Sequence, residues 1–288
     1  MAQPEVLRWG VVGLGSAGRS RTEALRQDPR AEVICGFRGG VAAAGLPVAS
    51  SVEALLEEVD AVAICSPDDT HPALVEQALR AGRHVLVEYP LAPDPDSVHR
   101  LFDLAAQVGR VLYVEHIEVL GAAARFIRER AAGRELHGGA LRFVGPPRAG
   151  TWSLAHSNVA RLHRLVDAVG FPVAVEAETR EPDHLTAILR YDRHCTIELD
   201  LRAEPGARRR MELALQLQGG DLLQAGDIVF DRGLPVNLGD GPGLFLRDQR
   251  MASAAMLDGG PLPIGPEREA GLASLAMRLA GPTVRLSG

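Results

Sequence analysis

Residues 7–18 read LRWGVVGLGSAG. An apolar, β-branched run that ends in glycine describes a strand buried on both faces of a parallel sheet. Gly13, Gly15 and Gly18 then fit G-x-G-x-x-G, and helical spacing follows at once over Ala17–Gln27. Strand, glycine turn and helix within a unit of roughly 30 residues is the context this motif requires. Gly13 permits the tight turn, Gly15 lets a pyrophosphate approach the backbone, and Gly18 lets helix and strand pack closely. The N–H groups at Ser16 and Ala17, with the helix dipole behind them, are the expected phosphate donors. The segment predicts dinucleotide binding.

The same alternation continues outward. AEVICGF (31–37) reads as a strand, VEALLEEV (52–59) as a short helix and DAVAICSP (60–67) as a strand. HPALVEQALRAG (71–82) is helical and stops at glycine; HVLVEYP (84–90) is a strand stopped by Pro90. A helix over 94–109 and the strand VLYVEH (111–116) complete the series. Strand–helix–strand repetition predicts a parallel, doubly wound Rossmann sheet over residues 1–118, the dinucleotide-binding domain.

After that the rhythm changes. Residues 119–132 read as one long helix, LHGGALRFVG (136–145) as a strand, and NVARLHRLVDAVG (158–170) as a helix capped by Asn158 and stopped by Gly170. From 172 to 231 strands follow one another without helices, LLQAGDIVF (222–230) being the last, which predicts a mostly antiparallel open sheet. Two helices are expected near Arg250 and Glu267. Residues 119–288 thus form an α+β substrate-binding domain with a large sheet.

Composition narrows the function. The chain has 288 residues, 46% apolar and 24% charged, the balance of a globular protein. A net charge of −6 argues against general nucleic-acid binding. No apolar run approaches the roughly 20 residues of a spanning helix, and the N-terminus lacks a signal pattern. Cys35, Cys65 and Cys195 are scattered, with no CxxC and no metal spacing, which fits a reducing, cytoplasmic setting. All 31 basic residues are arginines. Chemistry through a lysine amine is therefore excluded, while arginine orients and stabilises anions without readily giving up a proton.

The end of the second strand bears on the cofactor. NAD enzymes place an acid about 20 residues beyond the glycine loop to bind the ribose 2′-hydroxyl. Here the chain reads Gly36-Phe37-Arg38-Gly39-Gly40, with no acid. Arg38 suits a 2′-phosphate, so NADPH is expected, with NADH as the alternative.

CSP (65–67), the helix after it and AGRHVLVEYP (81–90) together resemble the Gfo/Idh/MocA oxidoreductase superfamily, whose strand usually ends Glu-Lys-Pro with a catalytic lysine. This chain has Glu88-Tyr89-Pro90, which is similar to the biliverdin reductase branch of the A type. VEHIE (114–118), ELHGGALRF (135–143), ARLHRLVDAVG (160–170) and GLFLRDQ (243–249) extend the resemblance over about residues 8 to 258. It implies reduction of biliverdin to bilirubin, by hydride transfer to the central methine bridge of a tetrapyrrole. The superfamily's sugar dehydrogenases carry D-x-G-x-H-x-x-D on the helix that opens the second domain. Aligned on Asp167, their Asp and His fall on Ala160 and Arg164; His163 is one residue out of register, about 100° around a helix. Animal biliverdin reductases also carry an arginine where this chain has Ser16.

The resemblance places Ser66, Pro67, His71 and Glu88 along the cofactor. It places Tyr89, Glu115 and His116 at the carboxyl edge of the sheet, near the substrate. Arg161 aligns with the arginine of the family stretch S-R-L-T-W-L, and Arg164 shares its helix face. The expected catalytic residues are Arg161, Tyr89 and Glu88, with Arg164 anchoring a propionate and no metal involved. A sugar or polyol dehydrogenase, and a non-catalytic dinucleotide- or tetrapyrrole-binding homologue, are the competing readings. A monomer or homodimer is expected, without membrane or nucleic-acid partners.

Overall fold

The computed structural model describes residues 6–39, 45–192, 194–238 and 243–281; Gly40, cited above, lies outside them. The chain divides into two compact units, Met1–Ile117 with Pro242–Ala270 and Glu118–Gly241 with Gly271–Gly288.

The first unit is built on five strands: β1 (Leu7–Val12), β2 (Ala31–Phe37), β3 (Ala61–Ile64), β4 (His84–Val87) and β5 (Leu112–Val114). They are all parallel, in the order β2-β1-β3-β4-β5. The order reverses between β1 and β3, and ligands of open α/β sheets bind beyond the strand ends at such a reversal. Helices α1 (Ser16–Gln27), α2 (Val52–Glu58), α3 (His71–Arg80) and α4 (Pro95–Gln107) connect the strands. Ser51 caps α2 and Asp94 caps α4 through their side chains, satisfying N–H groups that each helix start leaves open.

The second unit holds α5 (Ile117–Leu120, beginning at the division), α6 (Ala122–Ala131), β6 (Leu136–Gly145), α7 (Leu154–Ser157) and α8 (Val159–Val169). Seven strands follow: β7 (Ala174–Arg180), β8 (His184–Arg190), β9 (Thr196–Ala203), β10 (Arg210–Leu217), β11 (Leu222–Ala225), β12 (Ile228–Asp231) and β13 (Leu234–Val236). The eight-stranded sheet runs β13-β12-β11-β10-β6-β9-β8-β7. Every neighbouring pair is antiparallel except β6 and β9. Period-two alternation buries Leu185, Ala187 and Leu189 on β8 and Ile197, Leu199 and Leu201 on β9. The opposite face carries cross-strand ion pairs, Arg142 with Glu212 at 2.7 Å and Arg190 with Glu176 at 2.6 Å, and a His184–Asp200 hydrogen bond at 3.1 Å.

Four details differ from the sequence reading. The expected helix over 119–132 is two helices, because Gly121 adopts an extended ψ of 152° between them. Asn158 is the N-cap of α8, but its side chain makes no capping bond: its amide donates to Leu154 O and Ser157 Oγ in the preceding turn. LLQAGDIVF is a hairpin, β11 and β12, turning at Gly226 with φ +60°. The segment 242–270, assigned by rhythm to the second domain, belongs with the first unit. There α9 (Leu244–Asp258) lies along α1 and inserts Ala252, Ala255 and Met256 into the core of Trp9, Val11 and Leu86. The last helix, α10 (Pro266–Ala280), crosses the division. Among the described residues no helix is long and apolar enough to cross a membrane.

A buried charge pair fastens α9. The Arg21 guanidinium on α1 donates to Asp248 Oδ2 at 2.7 Å, and both side chains are fully buried. Removing one member of such a pair strands the other in a low-dielectric interior. Asp248→Ala is expected to lower the unfolding free energy by about 3–5 kcal/mol, read by urea denaturation. A loss below about 1 kcal/mol would show that the pair does not hold the segment.

Candidate functional site

The glycine loop joins β1 to α1. Gly13 has φ +87°, and a Cβ on it would lie 2.7 Å from the Ser66 backbone. A Cβ on Gly18 would lie 2.0 Å from Gly13 O, so helix and strand approach as closely as the motif implies. Nothing lies within 4 Å of the position a Gly15 Cβ would take. Gly15 is also the N-cap of α1, which has no side-chain cap and no acid in its first turn. Open space over Gly15, exposed Ser16 and part-exposed Ala17 make a cradle that fits a dinucleotide pyrophosphate.

The loop after β2 closes over this turn. Gly13 N–H donates to Phe37 O at 2.9 Å and Leu14 N–H to Arg38 O at 3.1 Å. Arg38 has φ +61°, a backbone state uncommon outside glycine, and its exposed guanidinium lies 5.3 Å from the Phe37 ring centroid. The structure thus sets Arg38 beside the glycine loop, as the sequence suggested.

At the carboxyl end of β3, Ser66 Oγ and Thr70 Oγ1 share a hydrogen bond of 2.7 Å, and Pro67 opens the turn into α3. His71 was expected to touch a cofactor. Instead it is fully buried, with Nδ1 2.7 Å from Pro90 O and Nε2 2.9 Å from Ser66 O. It clamps the β3 and β4 turns together and acts on a ligand only through them. The Tyr89–Pro90 peptide bond is cis.

Beyond β4 and β5 lies a carboxyl-rich cluster. Asp248 is its hub, accepting from Arg21, from Tyr113 OH at 3.0 Å and from His116 N–H at 3.1 Å. Glu88 accepts from Arg21 at 3.3 Å; burial pushes its carboxyl above the ordinary range while Arg21 pulls against the shift. Glu115 accepts from Ile117 N–H at 2.8 Å. Burial, reinforced by Glu88 and Asp248, pushes its carboxyl well above the usual range. Arg21 pairs with Asp248, while burial favours the protonated form of Glu88 and Glu115.

Tyr89 stands at the carboxyl edge as expected, but its hydroxyl turns inward. It lies 3.1 Å from His116 Nδ1 and 3.3 Å from Glu269 Oε1, and the residue is 4% exposed. Burial raises the phenol well above its usual range and lowers His116 to about 4, so both are neutral at pH 7. Burial raises Glu269 to about 8.

In the second unit Arg161 and Arg164 both reach Glu118, with different consequences. Arg161 Nη2 is 3.2 Å from Glu118 Oε1, and its guanidinium lies 4.7 Å from the Phe143 ring centroid. Its side chain keeps 15% exposure. Arg164 is the correction: it is buried, donating to Glu118 O at 3.0 Å and to Gln224 Oε1 at 2.6 Å. Its fork is engaged inside the unit, so it is no ready anchor for a propionate. His163 is fully buried.

Arg21, Asp248 and Glu269 were missed. Each sits on an apolar stripe: Arg21 with Ala24 and Leu25, Asp248 with Ala252 and Ala255, Glu269 with Leu272, Ala273 and Ala276. A charge at such a position was the available signal.

The Gfo/Idh/MocA family model, an oxidoreductase family with an NAD-binding Rossmann fold, matches residues 7–116. Biliverdin reductase A of Mus musculus is 32% identical over 253 residues, covering 83% of this chain and 82% of the relative. A Synechocystis biliverdin reductase, solved in complex with biliverdin and NADP+, superposes with a TM-score of 0.81 at 26% identity, over 95% of this chain and 97% of that one. UDP-N-acetylglucosamine 3-dehydrogenase from Acidithiobacillus ferrooxidans shares the fold, with a TM-score of 0.81 at 21% identity over 96% and 97%.

Two glycine substitutions separate cradle from packing. Gly15→Ala should leave thermal stability within about 0.5 kcal/mol of the parent yet weaken dinucleotide binding about tenfold or more. Gly18→Ala should destabilise the fold by about 1–3 kcal/mol through overpacking. Differential scanning calorimetry and titration of nicotinamide fluorescence read the two effects; an unaltered affinity in Gly15→Ala would place the phosphates elsewhere.

Proposed function

The chain belongs to the Gfo/Idh/MocA oxidoreductase family, and we propose that within it the protein is a biliverdin reductase, directing hydride from NADPH to the central methine bridge of a linear tetrapyrrole. One observation carries this reading: the residue where the family's catalytic lysine stands is Tyr89, a buried phenol held between His116 and Glu269. Oxidation of a sugar hydroxyl needs a base to accept its proton. A phenol kept protonated by burial is a poor one, and the chain contains no lysine to replace it. The positions of the family's Asp and His hold Ala160 and the internally bonded Arg164. Reduction of a methine bridge runs the proton the other way, toward a pyrrole nitrogen, and tolerates all of these replacements.

A bound dihydronicotinamide would supply the hydride. Ser16, Ala17 and the open face of Gly15 would hold its pyrophosphate, and Arg38 would meet the 2′-phosphate of NADPH where NAD enzymes carry an acid. Ser66, Pro67 and Glu88 border the cofactor at the strand ends; Glu115 and His116 border the substrate. Arg161 binds a substrate propionate, with Phe143 and Glu118 keeping its planar fork in one orientation. Its charge also stabilises the tetrapyrrole as it becomes electron-rich, more in the transition state than before it. Water delivers the proton to the pyrrole nitrogen, because a guanidinium gives one up reluctantly. A cytoplasmic setting, where NADPH is at hand, suits this chemistry.

The test mixes the protein with NADPH and biliverdin and follows the absorbance change from biliverdin to bilirubin; NADH with biliverdin, and a UDP-sugar with NAD+ or NADP+, are the comparison arms. Turnover with biliverdin, faster with NADPH than with NADH, is the expected outcome; dehydrogenation of the UDP-sugar without biliverdin turnover would overturn it. Arg161→Ala should lower kcat about tenfold to hundredfold, the equivalent of one charged hydrogen bond, while NADPH affinity stays unchanged. Arg161→Lys should recover part of that loss. Parent-like turnover in Arg161→Ala would remove this residue from the site.

A further inference from the structure

Tyr89, His116 and Glu269 meet from three elements, the turn after β4, the turn after β5 and α10. The Tyr89 hydroxyl is common to both contacts, 3.1 Å from His116 Nδ1 and 3.3 Å from Glu269 Oε1, while His116 Nδ1 and Glu269 Oε1 are 3.9 Å apart. All three side chains are buried. A hydroxyl has one hydrogen to give, so it cannot donate to both neighbours at once. The direction of the chain is therefore a two-state variable. The geometry points to Glu269 as a positioning residue that sets this direction, through Tyr89, and thereby decides which ring nitrogen of His116 carries the hydrogen.

The two states follow from counting hydrogens. With Glu269 protonated, its carboxyl donates to Tyr89 O, Tyr89 donates to His116 Nδ1, and the neutral ring carries its hydrogen on Nε2. With Glu269 ionised, Tyr89 donates to the carboxylate, and His116 Nδ1 then donates to the phenol oxygen. One proton has left Glu269 for water, and the ring hydrogen has moved from Nε2 to Nδ1. Nε2 thereby changes from donor to acceptor.

The surroundings set where this change occurs. Burial raises Glu269 to about 8, against the Tyr89 hydrogen bond and the charge of Arg268 on its own helix, both of which favour its ionised form; His116 is its other neighbour. Asp248 on α9 favours a charged His116 and Arg268 disfavours it, but burial prevails and keeps the ring neutral down to about 4. Tyr89 faces Glu269, Glu115 and Asp248, all of which join burial in keeping its hydrogen on. Between about pH 4 and pH 8 the donor state prevails, and above about pH 8 the acceptor state takes over. A donor-loaded edge suits a reaction that must protonate its substrate; this link to catalysis rests on the biliverdin reductase reading, whereas the tautomer change does not.

The experiment is nitrogen-15 NMR of the histidine rings in the full chain, with and without NADPH, between pH 6.5 and 9.5. For the parent, His116 is expected to carry its hydrogen on Nε2 at pH 7 and on Nδ1 at pH 9. Glu269→Gln, whose amide donates to Tyr89 at every pH, should keep the Nε2–H form throughout. Tyr89→Phe breaks the chain from the other side and should also abolish the pH-dependent exchange, which keeps the test decisive if the glutamine variant fails to fold. An unchanged parent tautomer from pH 7 to 9, or a Glu269→Gln protein that switches like the parent, would overturn the inference. In the kinetic arm, parent kcat with biliverdin should fall up to tenfold per pH unit above the transition, and Glu269→Gln should lose that limb. If the tautomer switches but biliverdin is not turned over at any pH, the wire stands and the proposed reaction falls.

Discussion

The buried pair of Arg21 and Asp248 is the interaction on which the rest of the first unit depends. It joins α1, the helix that begins at the glycine loop, to α9, which the chain supplies more than 200 residues later. Through Tyr113 and the His116 backbone the same carboxylate fixes the end of β5, and through Arg21 it fixes Glu88 at the end of β4. Such a pair has a cost. Arg21 Nε and Nη1 are buried without a hydrogen-bond partner among the described residues, and the Phe245 ring, 5.3 Å away, compensates only in part. Well-packed hydrophobic residues often serve stability as well or better than a buried ion pair. What the pair contributes is register: only one seating of α9 brings Asp248 to its three donors.

That register determines the electrostatics of the carboxyl edge. Glu88 and Glu115 lie in surroundings dry enough that burial raises both carboxyls, against the pull of the Arg21 guanidinium. The edge therefore keeps protons that exposed carboxyls would release. Beside it Tyr89, His116 and Glu269 are neutral near pH 7 for the same reason, desolvation. A sheet edge that retains protons is poorly suited to stripping one from an alcohol and well suited to supplying one. In the second unit the Arg161 guanidinium lies between Glu118 and the Phe143 ring, which together fix the orientation of its planar fork.

Local chemistry was legible in the sequence, and long-range partnership was not. Gly13 shows the positive φ and Gly18 the close approach to Gly13 O that the motif implies, while Gly15, at φ −68°, has open space beside it. The parallel sheet and the large second sheet follow from periodicity. The i, i+3 spacing of Arg161 and Arg164 correctly put both on one side of a helix and brought both to Glu118; it could not tell that Arg164 would be covered, since that depends on Gln224, 60 residues away. The return of α9 escaped notice because a change of strand rhythm marks where a sheet begins, not where a later helix packs. Tyr89 was placed at the right edge, yet the direction of its hydroxyl depends on Glu269, 180 residues downstream. Acids on apolar stripes were the one local sign of these distant contacts.

The central claim is that this chain directs hydride to a tetrapyrrole bridge. It is tested most directly with NADPH carrying deuterium at the reacting face of the nicotinamide, biliverdin as acceptor, and mass spectrometry and proton NMR of the product. The account predicts bilirubin with a single deuterium on the central bridge carbon. Oxidation of the cofactor without deuterium at that carbon, or bilirubin labelled only from solvent, would contradict it.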